Sequence, residues 1–168
     1  MQIYDLRHNK AVATILGPNI SGEAIDVAHD HILLTGSYVS EESIQTWDLR
    51  TRHVIKTLSW GGGYITPMFE LSEHERNVVR DKNGTLGEDS KDTDAFLYSA
   101  RFSRQGDLIL AGGAGKNEVR VFDYTTGDKV CTIGNLQKPV LTLEVGNKED
   151  KFAWGSADAC IRIMNIES

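Results

Sequence analysis

The chain has 168 residues, with 18 Lys and Arg against 24 Asp and Glu and a formal charge of −6, an acidic balance that argues against nucleic acid or an anionic membrane as partner, since either needs a basic footprint. No stretch approaches the ~18 consecutive apolar residues of a spanning helix, and the start Met1-Gln2-Ile3-Tyr4-Asp5 has neither the basic residues nor the apolar run of a signal peptide. Cys131 and Cys160 make neither a metal-ligand pair nor a disulfide framework, so the expectation is a reduced, cytoplasmic protein, with nuclear or cytoskeletal residence as variants.

In chain order the predicted elements are short strands. A first strand ends on Tyr4-Asp5, and a second covers 11–15. Four more follow at 24–27, 32–35, 44–47 and 54–58. After a long interval come strands at 97–102, 108–111, 119–122 and 129–133, then 140–145, 152–154 and 161–164. Their β-branched alternation, broken by Gly, Asn and Asp, is the signature of hairpins. No segment sustains an apolar period of 3.6, so little helix is expected.

The strands repeat. Tyr4-Asp5, Trp47-Asp48 and Phe122-Asp123 each open a twelve-residue segment closing in Thr-Ile or Thr-Leu, and a fourth copy starts at Met164-Asn165. The markers are 43, 75 and 42 residues apart, so one interval carries about 32 residues in excess. Upstream of each aromatic lie a period-two strand and a small-residue step, as in Thr35-Gly-Ser37 and Trp154-Gly-Ser156. One unit is thus four antiparallel strands, a to d, which cannot be stable alone and must stack on neighbours.

On these residues the chain resembles the WD-repeat β-propeller family, with Trp47-Asp48 as the signature dipeptide and Tyr4-Asp5 and Phe122-Asp123 as variants. The run Gly155-Ser156-Ala157-Asp158-Ala159-Cys160-Ile161-Arg162-Ile163 is similar to the family's third-strand signature. The resemblance implies an all-β fold of four-stranded blades. It divides the chain into strands c–d of a first blade (1–16), a second blade (17–58), a long acidic insertion (59–94), a third blade (95–134) and a last blade without strand d (135–168). It implies structural roles for Tyr4, Asp5, Ser37, Trp47, Asp48, Phe122, Asp123, Ser156 and Asp158, with the aromatics packed between blades and Ser37 and Trp47 remaining from a buried network. The Gly-His pair usual before strand a is replaced by Gly17-Pro18 and Gly134-Asn135.

Motifs that could carry chemistry do not develop. Gly112-Gly-Ala-Gly-Lys116 lacks the earlier Gly, the Ser or Thr and the following helix of a phosphate loop, and reads as a turn between strands b and c. His29-Asp30-His31 offers two ligands without a third, His8 and His53 fall in turns, and Glu73-His74-Glu75 lacks zinc-hydrolase spacing. No catalytic residue, metal, cofactor or small-molecule substrate is expected. The insertion is acidic, with eight acids and four bases between Glu70 and Asp94, and its upstream part carries Trp60, Tyr64 and Phe69. These three are candidates for a partner-binding surface, since long loops in compact domains are often functional. The resemblance places strand d–a loops and b–c turns on one rim, which adds Tyr38, Val39, Lys116 and Asn117 as candidates.

The function implied is a non-enzymatic protein-interaction scaffold. The alternatives are a substrate-receptor or regulatory subunit of an enzyme assembly such as a ubiquitin ligase, and an RNA-associated propeller, which the acidity disfavours. Without the insertion's excess, 136 residues make three and a fraction blades, whereas seven blades need roughly 300 at ~40–45 each. The chain therefore reads as the C-terminal half of a propeller, whose remaining blades come from the same protein or another chain.

Overall fold

The computed structural model describes residues 1–39, 42–61, 64–65, 95–147 and 151–165, the pair 64–65 by its backbone. Every element named in it is a strand: β1 (Gln2–Asp5), β2 (Lys10–Thr14), β3 (Ile25–Ala28), β4 (Ile32–Gly36), β5 (Ile44–Asp48), β6 (Val54–Leu58), β7 (Tyr64–Ile65), β8 (Ala95–Phe102), β9 (Leu108–Gly115), β10 (Val119–Asp123), β11 (Lys129–Ile133), β12 (Val140–Val145), β13 (Lys151–Ser156) and β14 (Ile161–Asn165). They form four antiparallel sheets in chain order: β1-β2, β3-β4-β5-β6-β7, β8-β9-β10-β11 and β12-β13-β14. Only the third has four strands. The two-residue strand β7, which the sequence pattern does not reveal, adds to the outer edge of the second sheet by pairing Tyr64 with Leu58 and Ile65 with Thr57.

The aromatic-Asp marker has a physical origin. In β1, β5 and β10 the register to the next strand slips at the aromatic, between Ile3 and Tyr4, Thr46 and Trp47, and Val121 and Phe122. A bulge there leaves the following Asp at the strand end, free to accept N–H groups of the turn. Asp5 accepts from Arg7 N at 2.8 Å, Asp48 from Arg50 N at 2.7 Å, and Asp123 from Thr125 N and Thr126 N at 2.7 and 2.8 Å.

Alternate residues of one strand serve opposite neighbours, because successive side chains point to opposite sheet faces. Leu33 packs with Ile15 and Trp47 against the first sheet, while Leu34 packs toward the third with Phe102, Ile109 and Phe122. In β9, Ile109 faces back to the second sheet, and Leu110 faces forward to Val140, Leu143, Phe152 and Trp154. The core is therefore three seams between sheets, and the innermost strands β3, β8 and β12 lie side by side. The outward faces of the terminal sheets are uncovered among the described residues. Ile161 and Ile163 are 80% and 69% exposed, and Tyr4 is 57% exposed. Tyr4, expected to pack between blades, instead bonds Gln2 through its hydroxyl, because no sheet lies against it.

Two expectations about strand b are revised. Gly112 to Gly115 belong to β9, and only Lys116 and Asn117 start the turn. Gly113 is dictated by close approach, since a Cβ there would lie 1.9 Å from the Phe96 carbonyl oxygen. In the second sheet, the indole of Trp47 donates to Thr35 Oγ1 at 2.9 Å, not to Ser37. Thr35 shares a face with Leu33, which pairs with Trp47. Ser37 lies past the end of β4, where its Oγ accepts from Val39 N at 3.0 Å.

Candidate functional site

In an antiparallel sheet the a–b and c–d turns share one end, and the b–c turns and d–a loops share the other. At the second end, above the seam between the second and third sheets, the structure joins three chain segments. Leu97 N donates to Ser37 O at 3.1 Å, and Tyr38 N donates to Asn19 O at 3.1 Å. Around these bonds stand three exposed apolar side chains: Tyr38 at 46%, Val39 at 37% and Phe96 at 44%. Phe96 was not singled out from sequence, where it reads as one apolar residue among others near the start of a strand. Its position depends on Gly113 across the sheet, which no local pattern reveals. Lys116 is exposed in the neighbouring turn, one residue beyond Gly115, the cross-strand partner of Ala95. Asn117, half-buried, takes the left-handed conformation at φ 52° that the turn requires.

Trp60 is not part of that surface. It is 4% exposed, with its indole donating to Glu118 Oε1 at 3.0 Å. Arg120 completes the group: it pairs with Glu118 at 2.7 Å, lies 4.8 Å from the Trp60 ring centroid, and donates to Trp60 O at 2.5 Å. Phe122 packs against the same ring at 5.7 Å between centroids. A carboxylate and a guanidinium taken from water need mutual pairing and further hydrogen bonds, and the indole supplies both a donor and an aromatic face. Trp60 therefore anchors the start of the insertion into the third sheet. Phe69 and the side chain of Tyr64 lie outside the described residues, as do His74 and the acidic stretch 70–94.

The remaining structural positions are turn and strand caps. Ser156 Oγ is within 3.0 Å of the carbonyls of Lys138 and Pro139. Asp158 accepts from Cys160 N at 3.0 Å and pairs with Arg162 at 2.7 Å; the Arg162 hydrogen bonds bring its carboxyl down to about 2. His8 and the turn amides lower Asp5, Arg50 holds Asp48 well below the usual carboxylate range, and turn N–H groups lower Asp123.

A cleft of about 470 Å³ opens at the opposite end of the inner strands, lined in part by Asp26, Arg101, Arg104, Glu144 and Asn147. Its polar groups serve each other. Arg101 donates to the carbonyls of Glu23 and Ile25 at 2.6 and 3.1 Å and reaches the carboxylates of Glu23 and Glu144, both at 3.5 Å. Asp26 accepts from Phe102 N at 2.8 Å, and Arg104 donates to Asn147 O at 2.5 Å. This is a polar fastening of three adjacent sheets. Among the described residues no three His, Cys, Asp or Glu side chains are placed to share a metal ion.

Stacked antiparallel sheets with inner strands side by side are an arrangement that solved structures share with this chain. A chain of the Mitotic Checkpoint Complex superposes with a TM-score of 0.69 over 99% of this chain, at 15% identity. The chain folds as part of a WD40 β-propeller. The WD40 β-propeller domain of Doa1 superposes with a TM-score of 0.64 over 95%, at 18% identity. The chain spans less than half of either structure, 44% and 42%, and the WD40 ring is not closed. No protein-family model matches the sequence, and no curated protein sequence matches it.

Proposed function

We propose that the chain is a non-enzymatic WD40 scaffold that docks protein partners on the rim formed by its b–c turns and d–a loops. The observation that carries this reading is the exposed group Tyr38, Val39 and Phe96, held on hydrogen-bonded backbone above the second seam. Exposed aromatics on a fixed frame are what interface hot spots use. A similar fold occurs in a chain of a multiprotein assembly, the Mitotic Checkpoint Complex, which agrees with the reading. Further blades, from the same protein or another chain, cover the apolar outward faces at Ile161, Ile163 and Tyr4.

The test places a photo-crosslinking amino acid at position 38 and, as control, at Thr126 in the c–d turn of the opposite end. The reading expects crosslinks to a partner protein from position 38 that disappear when Phe96→Ser is added. Equal crosslinking from both positions, or none from position 38, overturns it.

A further inference from the structure

We infer that the first sheet is a docking slot for a two-stranded β-hairpin of a partner polypeptide, which pairs with the inner edge of β1 and covers Ile25 and Val27. The inference goes beyond rim docking and does not depend on it.

The other two seams carry the argument. Ile25 and Val27 pair with Thr35 and Leu33, so they face the first sheet alongside the buried Leu33. Yet they are 38% and 51% exposed. Ala100 and Phe102 hold the same places in β8, opposite Ala111 and Ile109. Both are buried, in one cluster with Ala24 and Leu34 from the inner half of the second sheet. In β12, Leu143 stands opposite Trp154 and is buried with Leu110 of β9. The cover in both seams comes from the two innermost strands of the preceding sheet. The first sheet consists of β1 and β2, the counterparts of outer strands c and d, so its cover stops short of Ile25 and Val27.

The adjoining turn repeats the pattern. Leu49 and Tyr124, each just after the capping Asp, donate N–H to His31 O at 2.9 Å and Asp107 O at 2.7 Å in the neighbouring a–b turn. Tyr124 also packs edge-on against Phe102 at 5.5 Å between centroids. Leu6, just after Asp5, is 91% exposed. β1 presents the edge that a strand needs. Met1 and Ile15 exchange both backbone bonds, at 2.9 and 3.0 Å, and the alternation along a strand then points the N–H groups of Gln2 and Tyr4 away from β2. A hairpin added there spans about 10 Å, two strand spacings.

The chemistry of the partner follows from the strands that fill this place elsewhere. β4 sets Ile32 and Leu34 opposite Asp48 and Thr46, and β9 sets Leu108 and Leu110 opposite Asp123 and Val121. The partner strand therefore carries two aliphatic residues, two positions apart, opposite Asp5 and Ile3. Among the described residues a second copy has no such hairpin to give, because its β3–β4, β8–β9 and β12–β13 pairs each hold a further strand.

The probe is a fluorescein-labelled peptide copying residues 23–37, which include Ile32 and Leu34. It is cyclised through its ends because a free hairpin is marginal in water. Titrated into the full chain by anisotropy, it should bind below about 1 mM and weaken at least about tenfold when serines replace its Ile32 and Leu34. Bound probe should slow amide exchange at Gln2 and Tyr4. Val27→Glu in the chain should weaken binding about tenfold with thermal melting unchanged, whereas Ile163→Lys on the last sheet should leave binding as it is. No binding at about 1 mM, indifference to Val27→Glu or to the serine probe, equal loss with Ile163→Lys, or unaltered exchange at Gln2 and Tyr4 overturns the inference. So does a melting point lowered by more than about 10 °C in Val27→Glu without probe, which would mean that a segment of this chain already covers the slot.

Discussion

Two tryptophans close two adjacent seams by different means. At the first seam, Trp47 bonds Thr35 in the neighbouring strand of its own sheet, and Ile15 and Leu33 are the buried side chains beside it. At the second, Trp60 leaves the second sheet and bonds Glu118 of the third, inside a buried cluster that also holds Leu34, Leu58, Leu97, Phe102, Ile109 and Phe122. The first indole ties strands within one blade through a neutral bond. The second ties two blades through a charge-assisted bond. Burial of an aromatic in this fold follows from having another sheet packed against its face, more than from its place in the repeat. Trp60 lies outside the repeat and is core, whereas Tyr4 is a repeat marker and is exposed.

The sharpest way to break the comparison is Trp60→Ala. Truncating a buried aromatic costs about 3–5 kcal/mol. Here it also removes a donor and an aromatic face from the buried Glu118–Arg120 pair, so the upper half of that range is expected. Urea denaturation measures it; a loss below about 0.5 kcal/mol, within the range of an ordinary surface change, would show that the second seam does not depend on this residue. Trp47→Phe is milder. It keeps an aromatic ring and gives up one neutral hydrogen bond, worth about 1 kcal/mol, and Thr35 retains the Gln45 carbonyl at 3.3 Å. If Trp47→Phe costs as much as Trp60→Ala, the distinction between the seams is wrong.

The repeat was legible in the sequence because every copy solves the same local problem. A bulge at the aromatic and an acid capping the next turn need only neighbouring residues, so Tyr4-Asp5, Trp47-Asp48 and Phe122-Asp123 announce themselves. The WD40 architecture followed from that period. What was not legible depends on other strands. The burial of Trp60 is decided by Glu118 and Arg120, some sixty residues later. Thr35, not Ser37, meets Trp47 because register, unlike the dipeptide, sets which hydroxyl is in reach. Phe96 enters the rim through Gly113. Tyr38 and Val39, placed on the rim by the family resemblance, are exposed in the structure.

The acid caps provide a change that treats both seams alike. Asp5, Asp48, Asp123 and Asp158 have carboxyls lowered in the folded chain relative to an ordinary value of 3.8. A lowered folded value stabilises above the unfolded value and is lost as pH falls through the folded one. For Asp158 that window runs from about 4 down to about 2. The urea midpoint should hold between pH 7 and 5 and drop below 4, and Asp158→Asn should make the drop shallower. A midpoint that rises on acidification would contradict the capping role.

The smallest expected effect comes from the last sheet, whose two faces repeat the contrast on a single strand pair. Phe152 and Trp154 stack at 5.6 Å on the face toward the third sheet and are buried. Ile161 and Ile163 pair with Gly155 and Ala153 on the other face and stay in water. In the 168-residue chain Ile163→Lys should change stability by no more than about 0.5 kcal/mol, because it removes no buried contact. It should also lower self-association seen by sedimentation, since exposed β-branched faces attract one another. The same substitution in an assembly that carries the covering blade would bury a lysine and prevent closure. A change of several kcal/mol in the chain alone would mean that another part of it already packs on that face.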